Sequence, residues 1–356
     1  DRPVAYGFLC GRDYDTKKYR KKKKNTFHLI NEQQKILRLS NSPKKYKTEK
    51  TIGIPEALFL SEEGIIWTHF FNALGVKIIS SNNISSPVKE GKKLVSAEFC
   101  APLTAFIGHV KYCAQKADYI FLPVYLENRD KENPKKYCYF SQYASSLAAC
   151  IDTLGLKDRT IMPTIDSGDF VTTSELVKIL KPVLKCSYWS VYFAYQDALS
   201  FYHDIKEKLK NIFKREFERA DDISILFLGR PYILFSHTMN KHIPDIFENL
   251  KIKTFYQDML SFSKEDCKEI NDLLKAFNWH YTTKILESAV VAGKTDGLYP
   301  VYMTSFQCGP DSFALEYFRR IMDRYEKPYL ILQLDEHDSN VGYETRIEAA
   351  VRSFQN

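Results

Sequence analysis

Three cysteines in this chain stand where sulfur chemistry is favoured. Cys308 lies in Thr304-Ser-Phe-Gln-Cys-Gly-Pro-Asp-Ser312, between an apolar run, Gly297 to Met303, and a helical run, Phe313 to Met322. Pro310 suits the first turn of a helix, where its missing N–H costs nothing. Gly309 allows close backbone approach, and Asp311 and Ser312 fall at the positive end of the helix dipole. A thiolate is stabilised at such a strand-to-helix turn. Cys100-Ala-Pro102 repeats the design ahead of a helix from about Leu103 to Gln115. Cys138 precedes Ser141, a residue type that caps helices, before a helical run from Gln142 to Ala149. Three cysteines at three helix starts have the chemistry of ligands for one soft metal centre. The competing reading is that they are small buried hydrophobes. That reading is the one given to Cys113, Cys150, Cys186 and Cys267, which lie within helices or at their ends, while Cys10 stays open between the two. No C-x-x-C occurs, which excludes a zinc ribbon or a ferredoxin-type run.

Other polar residues gather at the expected ends of strands. Gly229-Arg-Pro-Tyr232 directly follows a buried strand, so Arg230 either holds an anionic group or serves in an ion pair. His237 and His242 are close enough in sequence to share that rim, but neither has a trusted metal spacing to another His, Asp or Glu. Leu334-Asp-Glu-His337 also ends a strand, placing Asp335 and His337 for proton transfer or for capping the next turn. Gly293-Lys-Thr295 is not a phosphate loop, because Ser288 occupies the position of the required first glycine and a helix precedes it. No G-x-G-x-x-G is present, so the chain shows no nucleotide site of its own.

The elements that must position these residues alternate. Short apolar runs at Thr51–Pro55, Val76–Ile79, Asp118–Pro123 and Thr160–Asp166 are separated by helical stretches at Glu62–Leu74, Leu103–Gln115 and Ser174–Leu184. A long charged helix, Trp189 to Arg219, follows. The pattern then restarts with strands at Ile223–Gly229, Ile252–Tyr256, Gly297–Met303 and Pro328–Leu334. Between and after them come helices at Ile243–Leu250, Glu265–Ala276, Tyr281–Val291 and Tyr343–Arg352. This alternation predicts an α/β fold of two Rossmann-like lobes, with parallel sheets flanked by helices and a cleft between the lobes. The expected divisions are a basic N-terminal arm over 1–50, a first lobe over 51–188, a helical bridge over 189–221 and a second lobe over 222–356. Right-handed crossovers put the working loops at the carboxyl ends of the strands.

Composition agrees with a globular protein. The 356 residues are 44% hydrophobic and 27% charged, and suit two domains. The net charge of +7 comes from the arm, where Lys17, Lys18, Arg20 and Lys21 to Lys24 form one run and Lys44, Lys45, Lys47 and Lys50 another. Such a run is more often a solvated or partner-docking segment than a nucleic-acid contact, and no nucleic-acid module follows it. No apolar stretch has the length of a membrane span and no signal peptide is evident. Eight cysteines in a chain of this size are not a disulfide framework, so a cytoplasmic, reducing setting is expected. The apolar start Val4–Leu9 after Asp1 is read as part of a longer polypeptide.

Several of these motifs occur in order and are distinctive together: Glu98-Phe-Cys100, Gly108-His-Val110, Asp118-Tyr-Ile-Phe-Leu-Pro123, Leu228-Gly-Arg-Pro-Tyr232, Leu298-Tyr-Pro300, Thr304 to Ser312 and Leu334-Asp-Glu-His337. Over roughly the whole chain they resemble the acyl-CoA dehydratase activase-related family, the CoA-enzyme-activase domain of unknown function. That family is similar to the iron–sulfur component of 2-hydroxyacyl-CoA dehydratases and to double-cubane cluster reductases. The resemblance implies a 4Fe–4S or double-cubane (8Fe) cluster held by Cys100, Cys138 and Cys308, with Gly309 beside it. Three thiolates per cubane leave one iron for a bridging sulfide, water or substrate. Glu98, Arg230, Asp311, Ser312, Asp335 and His337 are then the residues expected around the cluster. It further implies an ATP-hydrolysing activase as partner, in the same longer polypeptide or apart, delivering an electron that passes to a small substrate; a homodimer is compatible with it. Cys10-Gly-Arg12 resembles the junction after such an activase. The segment around Cys138 departs most from the family pattern. Two other expectations stand beside it: a cluster-free scaffold that docks an ATPase, and a cysteine-ligated zinc protein.

Overall fold

Each apolar run of the first half forms a short strand because its β-branched and aromatic residues suit a buried pleated surface. In the computed structural model of the protein, the described residues are 47–95, 99–130, 133–137, 152–166, 169–220, 223–263, 265–277, 279–305, 308–334 and 341–355. The first sheet contains β1 (Thr51–Ile54), β2 (Lys77–Ser80), β3 (Tyr119–Phe121) and β6 (Thr160–Ile161), in the order β2-β1-β3-β6 and parallel throughout. Helix α1 (Leu60–Ala73) joins β1 to β2 and ends as its sequence requires. Gly75 takes the left-handed conformation (φ 76°), and the Val76 N–H donates to the Phe71 carbonyl at 2.9 Å.

The second sheet contains β8 (Ser224–Gly229), β9 (Lys253–Tyr256), β10 (Leu298–Ser305) and β11 (Leu330–Leu334), ordered β11-β10-β8-β9 and again parallel. Counted within its own sheet, each set reads second, first, third, fourth. The two halves therefore share one topology, as the restarting pattern predicts, and the fold is two Rossmann-like lobes of parallel sheet flanked by helices.

Helices α2 (Pro87–Lys92) and α3 (Ala101–Ala114) lie between β2 and β3. They cross with backbones touching: a Cβ on Gly91 would sit 1.8 Å from the Thr104 carbonyl oxygen, and one on Gly108 would sit 2.1 Å from that of Pro87. Gly108 of the Gly-His-Val motif is thus a packing residue. Its neighbour His109 is buried against Ser81, with 2.7 Å between Nδ1 and Oγ, and burial lowers its pKa to about 4.

Besides the short helices Pro87–Lys92 and Pro231–Leu234, which no predicted run marked, three stretches differ from expectation. Residues 160–166 are two strands in two sheets, because Pro163 cannot continue the ladder. After β6 the chain passes to β7 (Thr164–Asp166), which joins β4 (Val124–Asp130) and β5 (Asn133–Tyr137) in a separate sheet ordered β5-β4-β7. The β4–β5 hairpin was not predicted, since its stretch is rich in Lys, Glu, Asn and Pro and shows no apolar alternation. Residues 265–276 are a 3-10 turn (Glu265–Ile270) followed by the short helix α8 (Asn271–Ala276), with non-helical backbone at Cys267. The remaining helices are α4 (Asp169–Leu184), α5 (Tyr188–Phe217), α6 (Pro231–Leu234), α7 (Ile243–Asn249), α9 (His280–Lys294), α10 (Gly309–Arg324) and α11 (Val341–Phe354). No described helix is long and apolar enough to cross a membrane.

Helix α5 spans 30 residues, roughly 45 Å. Ser187 and Ser190 cap its start reciprocally. Near that start Tyr195 stacks on Trp67 of α1 at 5.9 Å, and near its end Phe213 meets Phe255 of β9 edge-on at 4.9 Å. One helix therefore packs on both lobes. At its middle, Lys206 Nζ donates to Glu62 Oε1 of α1 at 2.6 Å and to Asp258 Oδ2, just after β9, at 3.0 Å. Lys284 of α9 lies 3.5 Å from the same Glu62, and the Tyr202 hydroxyl donates to it at 3.0 Å.

The adjacent Glu63 titrates in the opposite sense. Burial raises its pKa to about 7, the Glu62 charge adding and a hydrogen bond with Tyr125 opposing. Its proton is held in the folded state and released in the unfolded chain as pH rises from about 4.5 to about 7, so stability falls over that window and not below it. Glu63→Gln is therefore expected to be more stable than the parent by on the order of 2 kcal/mol at pH 8 and equal to it at pH 4. Urea midpoints at the two pH values measure this, and equal midpoints at pH 8 would contradict it.

Candidate functional site

In each sheet the strand order reverses between the first and third strands, and the carboxyl ends at that point form a natural crevice. In the second lobe the point lies between β8 and β10. Gly229 closes β8 so near β10 that a Cβ would come within 2.5 Å of the Met303 carbonyl oxygen. Gln257 grips the same residue from the other side. Its Oε1 accepts from the Gly229 N–H at 3.0 Å and its Nε2 donates to the Gly229 carbonyl at 2.8 Å. Arg230 then begins α6, with Pro231 at the first helical position.

The Arg230 guanidinium is buried. Its Nε donates to Asp311 Oδ1 at 2.6 Å and its Nη2 to Thr282 Oγ1 at 3.4 Å, while Thr304 Oγ1 donates to Asp311 Oδ2 at 2.8 Å. The residue that follows β8 is thereby tied to β10, α9 and α10 at one point. Burial alone would lower the Arg230 pKa, but the Asp311 carboxylate outweighs it and holds the charge firmly. Of the two readings of Arg230, the ion pair is the one realised inside the protein.

The cysteines predicted at helix starts lie near enough to this pair for its charges to act on both thiols. Cys308 is the residue before α10, and Cys100 the residue before α3; both are half-buried. Each of these helices runs from a carboxyl rim back to the start of the next strand, so each cysteine lies on its lobe's working edge. Burial pushes the Cys308 thiol up to about 11, Asp311 adding and Arg230 opposing. Burial likewise raises the Cys100 thiol, with Arg230 opposing. The N–H of Leu103 faces the Cys100 sulfur and that of Asp311 faces Cys308, each easing the thiolate form. Buried Tyr232 feels both sulfurs. Cys100 from one lobe and Cys308 from the other thus share the field of one Arg–Asp pair.

Among the described residues, nothing beyond its own helix backbone and chain neighbours lies within 4 Å of where a Cβ on Gly309 would be. The exposed Ser312 hydroxyl donates to the Cys308 carbonyl at 2.9 Å. Cys138, Cys150, Glu98, Asp335, His337, Cys10 and nearly all of the basic arm lie outside the described residues. Cys113 and Cys267 are buried in the core as expected, and burial raises both thiols to about 12. Cys186 is half-buried.

Sequence reasoning missed Gln257, Thr282 and Thr304. They are ordinary polar residues whose partners are remote in the chain, and only Thr304, seven residues before Asp311, carried a local signal. It also found no trusted partner for His237 and His242, whereas the structure places both with Asp245, their ligand atoms all within 4.8 Å of one another.

As a chemical device, the cysteine pair offers two soft donors that burial keeps protonated, so a bound metal would have to displace the protons. The donor type and the two helix N-termini fit a thiolate-ligated centre.

A family model described as the CoA enzyme activase uncharacterised domain matches residues 51–260. No curated protein matches the chain. Solved structures with weak likeness include the SBP FpvC of P. aeruginosa in complex with Ni2+ (10% identity, 86% of this chain and 95% of that chain covered, TM-score 0.24). Another is the laminin-binding protein Lbp of Streptococcus pyogenes (10% identity, 86% and 97% covered, TM-score 0.21). The fold is defined by the strand order of the two parallel sheets. With its central 210 residues matched, the chain belongs to the CoA enzyme activase uncharacterised domain family.

Proposed function

We propose that the protein is an iron–sulfur redox component of an ATP-dependent, low-potential reductase or dehydratase-activating system. Cys100 and Cys308, joined by Cys138, would hold the 4Fe–4S or double-cubane cluster. The observation that carries this reading is the approach of two helix-start cysteines, one from each lobe, to a single buried Arg230–Asp311 pair. When bound, such a cluster supplies one-electron transfer at a potential set by charge, hydrogen bonding and solvent exposure. The chain's own part is to orient the sulfurs at two helix N-termini, to aim N–H groups at them, and to keep the buried Arg230 charged near them. Arg230 lowers the energy of both thiolates, while Asp311 anchors Arg230 rather than acting as a base. An ATP-hydrolysing activase is the partner that would deliver the electron.

Anaerobic reconstitution with iron and sulfide tests the reading. The expected product is coloured and contains about four irons per chain, or twice that for a double cubane. Cys100→Ser and Cys308→Ser should each lose most of the iron, and Cys267→Ser should keep it. Zinc bound in place of iron would favour a cysteine-ligated zinc protein. Thiols that remain freely titratable after reconstitution would favour the scaffold reading.

A further inference from the structure

We propose that His237, His242 and Asp245 form a second metal site, for one divalent first-row transition ion, apart from the cysteine pair. The three ligand atoms lie within 4.8 Å of one another. His242 Nδ1 and Asp245 Oδ2 are 3.1 Å apart, and the two imidazole rings stack with centroids 5.4 Å apart and planes at 26°. Ligands about 2.0–2.2 Å from a shared tetrahedral ion lie roughly 3.3 Å from each other, so the group needs little movement to close on one.

The chain builds this arrangement with an unusual turn. Lys241 and His242 are consecutive non-glycine residues in the left-handed conformation, with φ of 54° and 57°. Each costs roughly 1–2 kcal/mol relative to ordinary backbone. Buried Asn240 bolts the turn down: its Oδ1 accepts from the His242 N–H at 3.0 Å and its Nδ2 donates to the Leu234 carbonyl at 3.1 Å. The turn is thereby fixed to α6, the helix that starts at Arg230. Asp245 then falls in the first turn of α7, three residues after His242 and on the same face, while His237 approaches from before the turn.

Two imidazoles and one carboxylate are donors for zinc, cobalt, nickel or ferrous iron; magnesium and calcium take oxygen sets. His242 is exposed, so the positions the protein leaves unfilled face solvent, where water or an anionic group of a ligand can complete them. A helix-capping His242–Asp245 pair alone would account for the 3.1 Å contact but would make ion binding indifferent to His237.

That difference is the test. The full chain carrying Cys100→Ser and Cys308→Ser, so that those thiols do not compete, is titrated with Co2+ and then with Zn2+. One equivalent of Co2+ should bind with visible ligand-field bands and without sulfur-to-cobalt charge transfer, Zn2+ should displace it, and millimolar Mg2+ should not. His237→Gln, His242→Asn and Asp245→Asn should each weaken binding at least ten-fold. Asparagine tolerates the left-handed conformation, so His242→Asn keeps the turn, and an unchanged melting midpoint confirms it. Failure to take up cobalt at micromolar free ion, or a His237→Gln variant that titrates like its parent, overturns the site. Neither result bears on iron binding by the cysteines.

Discussion

Arg230→Met is expected to cost about 3–5 kcal/mol of stability, because it leaves the Asp311 carboxylate buried without its counter-charge. Asp311 would keep its hydrogen bond from Thr304 at 2.8 Å, but a hydroxyl dipole does not replace a guanidinium 2.6 Å away. The double variant Arg230→Met/Asp311→Leu should recover most of that loss, since a buried ion pair exchanged for apolar groups of similar volume is often nearly neutral. Urea denaturation of both singles and the double gives the coupling directly. A single-variant cost near that of an ordinary surface change, about 0.5 kcal/mol, would show that the pair is not the anchor described here. The same substitution has a second readout. Arg230 opposes the upward shift of the thiols at Cys100 and Cys308 while Asp311 adds to it. Arg230→Met alone should therefore slow the reaction of both with a thiol reagent at pH 8 under conditions where it stays folded, and the double variant, which removes both charges, should recover the rate at Cys308.

Lys206→Met should be comparably damaging, about 3 kcal/mol or more, because it strands two buried carboxylates at once. Lys284 stays 3.5 Å from Glu62 and softens that half of the loss, whereas Asp258 on the other side loses its 3.0 Å partner. Adding Asp258→Asn should return part of the stability. The ammonium joins α1 of the first lobe to the turn after β9 of the second. Loss should therefore also appear as faster amide exchange along α1 and the middle of α5, and unchanged exchange there would contradict the bridging role. Acid has a related effect. The Glu62 pKa lies well below its ordinary value: burial would raise it, but Lys206 and Lys284 outweigh that cost. Its contribution is present above the ordinary carboxylate pKa and is lost as pH falls, opposite in sign to that of Glu63 next to it.

Much of the layered fold was legible because strand and helix periodicities are local. The run Ser224–Gly229 is apolar at nearly every position, as a strand covered on both faces must be, and it is buried throughout. Cys-Ala-Pro and Cys-Gly-Pro announce helix starts by the chemistry of a first turn, and both helices begin there. Gly75 announced the end of α1 for the same kind of reason. Residues 160–166 misled because two strands of different sheets follow one another with only Met162 and Pro163 between them, and periodicity cannot report a change of sheet.

Local pattern was enough to mark most strands and helices, the succession of two similar lobes, and the placing of Cys100 and Cys308 at helix starts. Each of these depends on residues within about one turn or one strand of each other. Tertiary structure alone decided that Arg230 turns inward to Asp311 and that Cys100 arrives beside a pair built by the other lobe. It also decided that Lys206 joins the lobes and that His237 folds back over His242. Those contacts are made by side chains remote in the chain, or by a turn whose left-handed residues have no local signature. Their partners are set by how buried charge finds counter-charge once the sheets have packed.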